Sequence, residues 1–225
     1  MSLTVIGAPL SPFVRKVRVV LAEKQLEYKL DPVSPFAPPA DFEKISPLKR
    51  IPVLRDDSEG PDAMIPDSSA ICAYLEKKFP TPALYPSAPF AYARALWFEE
   101  YADSDFVTTT GLGMFRPVVV NALMKKAPDF AVAKDTFETK VPRFLQYYEE
   151  QLNGRSHFVG DSFSIADIAV ASPFVNVAHT GFAPDEAKYP NLVRFLKATL
   201  ARPSFAACIA QEQKILAPLG VKYAL

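Results

Sequence analysis

The stretch Leu3-Thr4-Val5-Ile6-Gly7-Ala8-Pro9-Leu10-Ser11-Pro12-Phe13-Val14-Arg15-Lys16-Val17-Arg18-Val19-Val20-Leu21 decides the fold. Residues 3–6 are apolar and β-branched enough for a short buried strand, and Gly7-Ala8-Pro9 ends it. Ser11-Pro12 then opens a helix. Serine is a favoured N-cap, and proline suits the first helical position, where an N–H would lack a partner anyway. Phe13, Val14, Val17, Val20 and Leu21 recur at helical spacing, so this helix buries one face. A second short strand follows near Glu27 to Leu30. Strand, helix and strand in this order predict a βαβ unit with a parallel pair.

The three cations of that helix, Arg15, Lys16 and Arg18, lie in its early turns, the unfavourable end for its dipole. An anionic ligand nearby would offset the conflict, but solvated surface positions are the expectation for such residues.

Further along, Pro32, Pro35, Pro38 and Pro39 forbid regular structure, and a short helix is expected around Ala40 to Ile45. Ile51-Pro52-Val53-Leu54 reads as a strand entered through an X-Pro bond, and Ala63 to Ile65 as its neighbour after the turn-rich residues 56–62. Pro66-Asp67-Ser68 starts another helix, with Ile71, Tyr74, Leu75 and Phe79 on one face. Two strands joined by a tight turn are antiparallel, so the sheet is mixed, βαβ followed by ββα. Residues 1–79 form this α/β domain. Pro80, Pro82, Pro86 and Pro89 mark a linker over 80–89.

Residues 90–225 read as an all-helical domain. Helices are expected at Phe90 to Phe115, Phe130 to Leu152, Ser164 to about Val177, Asn191 to Leu200 and Ser204 to Leu216. Gly111 and Gly113 inside the first suggest a bend or a close approach. At the third, Ser164 is an N-cap and Asp167 a reciprocal N3 partner, while Phe163 and Ile168 can form a hydrophobic staple.

Composition narrows the function. Lysine plus arginine and aspartate plus glutamate stand at 25 each, and this neutral balance without a basic run excludes the charge footprint of a nucleic-acid binder. The N-terminus has no basic start before an apolar stretch, and no apolar run approaches the roughly 18 residues that span a bilayer. The two cysteines, Cys72 and Cys208, are far apart and outside any CxxC pair, which predicts packed thiols in a reducing, cytoplasmic setting. The sequence offers no metal-ligand cluster.

Taken in order, Ser11-Pro12-Phe13, Arg50-Ile51-Pro52-Val53-Leu54, Asp67-Ser68-Ser69-Ala70-Ile71 and Phe163-Ser164-Ile165-Ala166-Asp167-Ile168 resemble the motifs of the cytosolic glutathione S-transferase family, in its bacterial-type serine class. The resemblance covers essentially the whole chain. It implies a thioredoxin-like N-terminal domain followed by a helical C-terminal domain, with glutathione as co-substrate. It also implies a homodimer acting in detoxification on a small hydrophobic electrophile. Within it, Ser11 holds the glutathione sulfur as a thiolate. Phe13, Arg50, Ile51, Pro52, Asp67 and Ser68 bind the rest of the tripeptide. Pro52 is cis, turning the Ile51 backbone toward the cysteinyl residue; Ser68 and the helix N-terminus take the γ-glutamyl carboxylate. Asp67 stands where the family has glutamate or glutamine, one methylene longer, and Arg50 where a residue approaches the glycyl carboxylate. The electrophile pocket is expected near Phe13, the 35–39 loop, Tyr101, Phe106, Met114 and Phe115.

The serine is chemically sufficient. A free thiol of pKa near 8.5 is only about 3% ionised at pH 7. Lowering the value by two units takes roughly 2.7 kcal/mol. A hydroxyl donating to an anion supplies about 1.5–3 kcal/mol, and a helix N-terminus about 0.3–1 kcal/mol. No tyrosine precedes Tyr28 and no cysteine precedes Cys72, so the opening lacks the thiol that mixed-disulfide chemistry requires. Other readings on the same fold are a non-catalytic glutathione-binding or ligand-carrying protein, a glutathione-dependent isomerase, and a peroxidase.

Overall fold

A computed structural model describes residues 2–34, 36–60 and 62–225. Pro35, named above beside the electrophile, lies outside the described residues. The chain divides into two compact units, Met1–Leu84 and Tyr85–Leu225.

The first unit contains β1 (Leu3–Ile6), α1 (Pro12–Glu23), β2 (Tyr28–Asp31), α2 (Phe42–Ile45), β3 (Val53–Asp56), β4 (Met64–Pro66) and α3 (Ser68–Lys78). Its sheet has the order β2-β1-β3-β4. β1 pairs parallel with β2, Ile6 opposite Asp31, and antiparallel with β3, Ile6 opposite Val53. β3 pairs antiparallel with β4, Val53 opposite Pro66. The mixed βαβ–ββα sheet is therefore the one its motifs predict. β1 is buried along its whole length because it is central and covered.

Gly7 closes β1, and a Cβ placed there would come within 2.6 Å of Val14 Cγ2. Only a residue without a side chain lets the strand end lie this close to the first turn of α1. α1 differs from expectation. Every residue from Val14 to Leu21 is buried, the cations included, so Arg15, Lys16 and Arg18 are not solvated surface charges. Hydroxyls from other elements meet two of them. Lys16 Nζ donates to Ser69 Oγ at 3.0 Å, and Arg18 Nε donates to Tyr28 Oη at 2.8 Å. A buried cation is tolerated where such acceptors replace water.

Two further charge clusters stiffen the unit. Lys24, enclosed at the end of α1, donates to the carbonyls of Phe79 and Pro82 at 2.7 and 2.8 Å and meets Glu76 at 2.7 Å. Glu76 also accepts from the Leu84 N–H. At the end of β3, burial pushes the Asp56 carboxyl up, but hydrogen bonds from Lys78, Ser58 and Tyr74 outweigh it and hold the group well below the usual carboxylate range.

The second unit is helical throughout. α4 (Pro89–Tyr101) continues without a break through a π-helical stretch at Ala102–Phe106, α5 (Val107–Thr110), a second π stretch at Gly111–Val120, and α6 (Asn121–Leu123). The rod is thus longer than the 90–115 expected. Its second π stretch contains Pro117, which has no N–H for an α-helical bond; wider turns accommodate it. A Cβ on Gly113 would lie 2.5 Å from Thr136 Oγ1, so this glycine marks a close approach between helices.

The helix expected over 130–152 is two, α7 (Phe130–Thr139) and α8 (Pro142–Leu152). Pro142 occupies the first position of α8, where it cannot continue the preceding hydrogen-bond ladder. α9 (Ile165–Ala178) is buried on every side and forms the centre of the unit, followed by α10 (Pro190–Leu200) and α11 (Pro203–Leu216). Its Phe174 packs ring to ring with Phe106 and Tyr148, which in turn meet Phe144 and Phe158. Cys72 and Cys208 are buried thiols outside any disulfide. Among the described residues no helix is long and apolar enough to cross a membrane.

Candidate functional site

Sheet register gathers the sequence motifs. Because Ile6, Val53 and Pro66 are successive partners across β1, β3 and β4, three chain segments meet at one end of the sheet. The segment leaving β1 leads to Ser11, the one entering β3 carries Ile51-Pro52, and the one leaving β4 carries Asp67-Ser68. The Ile51–Pro52 peptide is cis, as the resemblance implies. The Asp67 N–H donates to the Pro52 carbonyl at 3.3 Å, joining two of the segments directly. A Cβ on Gly7 would be 3.2 Å from Ile51 Cβ, so the third is in close reach.

Ser11 is the N-cap of α1: its backbone is extended (ψ 128°), and its Oγ accepts from the Val14 N–H at 3.4 Å. This capping bond uses a lone pair and leaves the hydroxyl proton to donate elsewhere. Ser11 and Phe13 are half-buried, open enough to be reached and dry enough for a hydrogen bond to count.

Asp67 caps α3 with φ +92°, a region that non-glycine residues avoid. Its Oδ1 accepts from the N–H groups of Ser69 and Ala70 at 2.9 and 3.1 Å, and these two bonds stabilise the strained backbone. Ser68, at the first helical position, is buried, while Asp67 itself is exposed. Arg50 is exposed, and its backbone is fixed by reciprocal bonds with Ser46 Oγ at 2.8 and 3.1 Å.

Ser11, Phe13, Ile51, Pro52, Asp67 and Ser68 therefore belong to one end of one unit. The residues expected around an electrophile lie in the other. Tyr101 and Phe115 are half-buried. Phe106 and Met114 are fully enclosed, and Phe106 packs against Phe144, Tyr148 and Phe174 in the aromatic core. A ring covered by other rings on this scale is part of the packing, which corrects the expectation that Phe106 lines an open wall. One contact near Ser68 was not legible in the sequence. Lys16 and Ser69 bond to each other beside Ser68, and the helical period of α1 could not show that Lys16 is buried because a periodic pattern treats every charge as solvated.

An α/β unit with a mixed four-stranded sheet, carrying a capped cis-proline site and followed by an all-helical unit, defines the class. Residues 5–83 match the glutathione S-transferase N-terminal domain, and residues 114–212 match the glutathione S-transferase C-terminal domain. A glutathione S-transferase of Triticum aestivum is 30% identical over 209 residues, covering 92% of each chain. The crystal structure of a glutathione S-transferase from Rhodospirillum rubrum superposes with a TM-score of 0.82 at 27% identity, covering 92% of this chain and 91% of that one. Another, from Methylobacterium radiotolerans in complex with glutathione sulfonate, gives a TM-score of 0.74 at 28% identity over 93% and 95% of the two chains. The chain belongs to the glutathione S-transferase family.

Proposed function

We propose that this protein is a glutathione transferase that binds glutathione at the sheet end described above, holds its sulfur as a thiolate against Ser11, and adds it to a small hydrophobic electrophile. The observation that carries the reading is the convergence of a capping hydroxyl, an Ile51–Pro52 segment and the Asp67-capped start of α3 within one unit. A tripeptide with two carboxylates and a thiol needs three such features, and they are spaced along three chain segments rather than one.

In this reading Ser11 keeps its Oγ lone pair on the Val14 N–H and donates its proton to the thiolate. Ile51 offers its backbone to the cysteinyl residue, as a strand would. Ser68, through its hydroxyl and backbone N–H at the positive end of α3, receives the γ-glutamyl carboxylate. Asp67 spends Oδ1 on the cap and presents Oδ2 to the ammonium group, so a side chain one methylene shorter still reaches. Arg50 pairs with the glycyl carboxylate, and Phe13 packs beside the thiol. Tyr101 and Phe115 contribute apolar surface for the electrophile. A cytoplasmic homodimer acting in detoxification is the setting we infer from family membership.

Thiolate absorbance of the bound tripeptide, followed against pH in the wild type and Ser11→Ala, tests the mechanism. The thiol pKa is expected to lie at least about one unit below the free value of about 8.5 in the wild type and to rise in the variant. Tight binding with an unshifted thiol in both proteins would instead identify a glutathione carrier. Product analysis with a cis-enone substrate separates addition from isomerisation.

A further inference from the structure

A groove of about 610 Å³ runs within the helical unit, between α7 on one side and α5 with the π stretch that follows it on the other. Ordinary ligand sites hold roughly 300–1,000 Å³. Leu112, 61% exposed, gives one wall an apolar surface, and Val132, 45% exposed, gives the other its own. Leu112 and Gly113 belong to the π stretch, a helical form that recurs at functional sites. The floor is Thr136, 2% exposed and packed against the bare backbone of Gly113.

The polar groups of this groove are left unused by the protein. Thr110 and Thr139 donate to carbonyls one turn back at 2.8 and 2.7 Å. The lining hydroxyls of Thr108, Thr109 and Thr136 have no hydrogen-bond partner among the described residues. Lys134 pairs with Glu138, yet the lining Asp135 and Lys140 have no ion-pair partner among the described residues. An enclosed hydroxyl without a partner costs free energy that a ligand can recover.

We infer that the groove binds a short apolar peptide with free termini, of about dipeptide length, its ammonium on Asp135 and its carboxylate on Lys140. The two side chains are five positions apart on α7 and its cap, about 7.5 Å along the axis. Two extended residues span up to about 7 Å. A ligand with a single charge meets a like charge at the far end, so the pair selects a zwitterion. Successive side chains of an extended chain point to opposite sides, which suits Leu112 and Val132 on opposite walls. The peptide bond brings a donor and an acceptor, and threonine hydroxyls serve either. This site is independent of the transferase reading, and neither stands or falls with the other.

The test titrates leucyl-phenylalanine into the isotope-labelled protein and follows the amide resonances of Gly113 and Thr136. Both should shift, with a Kd at or below about 1 mM. Blocking one end, as N-acetyl-leucyl-phenylalanine or leucyl-phenylalanine amide, should weaken binding about threefold to fivefold, the scale of one partly exposed charge contact. Asp135→Asn should weaken the free dipeptide by the same factor and leave the N-acetyl form unchanged. Lys140→Gln should weaken the free dipeptide and leave the amide unchanged. Both positions are exposed, so neither change disturbs the core. Resonances that stay put, or blocked dipeptides that bind as tightly as the free one, would overturn the inference. So would a loss in either variant that falls equally on free and blocked forms.

Discussion

Asp167 Oδ2 lies 3.3 Å from Nδ1 of His157 while the same carboxylate, fully buried, accepts the N–H groups of Phe158 and Ser164 at 2.9 Å each. The capping box legible in Ser164-Ile165-Ala166-Asp167 is thus also the tie that fastens the preceding loop to the central helix α9. Asp167→Ala leaves two buried N–H groups without acceptors, at about 1–3 kcal/mol each. We expect a loss of about 2–5 kcal/mol in the helical unit, read by denaturant unfolding through Trp97, the single tryptophan. A variant within about 0.5 kcal/mol of the wild type would show that the tie is dispensable.

His157 makes this region pH-sensitive. The Asp167 carboxylate beside it raises its pKa above the ordinary value of 6.5, with burial and Arg202 opposing and Asp161 assisting. A folded-state pKa above the unfolded one contributes stability that is complete below the unfolded value and disappears as pH rises through the folded value. The wild type should therefore melt above His157→Gln near pH 5.5, and the gap should close as pH rises past the ordinary value of 6.5 and through the raised one. A gap in melting temperature that stays constant across this range would exclude a charged His157–Asp167 pair.

Tyr148 carries a hydroxyl that finds no hydrogen-bond partner among the described residues, although the ring is enclosed by Tyr101, Phe106, Phe158 and Phe174. Burial holds its pKa well above the ordinary tyrosine value, so the group stays neutral. An unmet buried hydroxyl costs stability, and removing it alone leaves the ring packing intact. Tyr148→Phe should be neutral or more stable by up to about 1 kcal/mol, whereas Tyr148→Ala should cost about 3–5 kcal/mol. A clear destabilisation by phenylalanine would reveal a partner for the hydroxyl.

Gly113 opposes the usual helix rule. Alanine in a helix interior normally gains up to about 1 kcal/mol over glycine. Here its Cβ would fall 2.5 Å from Oγ1 and 2.6 Å from Cγ2 of Thr136, a β-branched side chain with little freedom to move. Gly113→Ala should destabilise by about 1–3 kcal/mol. Gly113→Ala combined with Thr136→Ser, which deletes the crowding methyl, should recover part of that loss. Additive effects of the two changes would argue against direct contact.

How far the sequence carries can be judged from particular residues. Ser11, the Ile51–Pro52 junction and Asp67-Ser68 are legible because caps and X-Pro bonds have local signatures that need no knowledge of the rest of the chain. The burial of Arg15, Lys16 and Arg18 is not, since it depends on groups brought from other elements, such as the hydroxyls that Ser69 and Tyr28 offer to Lys16 and Arg18. The π turns at 102–106 and 111–120 are equally hidden, because the period of a helix responds to what packs on it. Pro142 did announce the break between α7 and α8, but the continuous apolar period across 130–152 obscured it.

Lys24 bears on how the chain may be divided. Its ammonium, 0% exposed, gathers carbonyls at residues 79 and 82, and its partner Glu76 takes the N–H of residue 84. The last helix of the α/β unit ends at Lys78, yet the unit's electrostatic closure ends six residues later. A fragment cut after Phe79 would strand a sequestered cation and its counter-ion beside a raw chain end. One cut after Leu84 would keep both satisfied, and is the length at which this half of the molecule is expected to stand by itself.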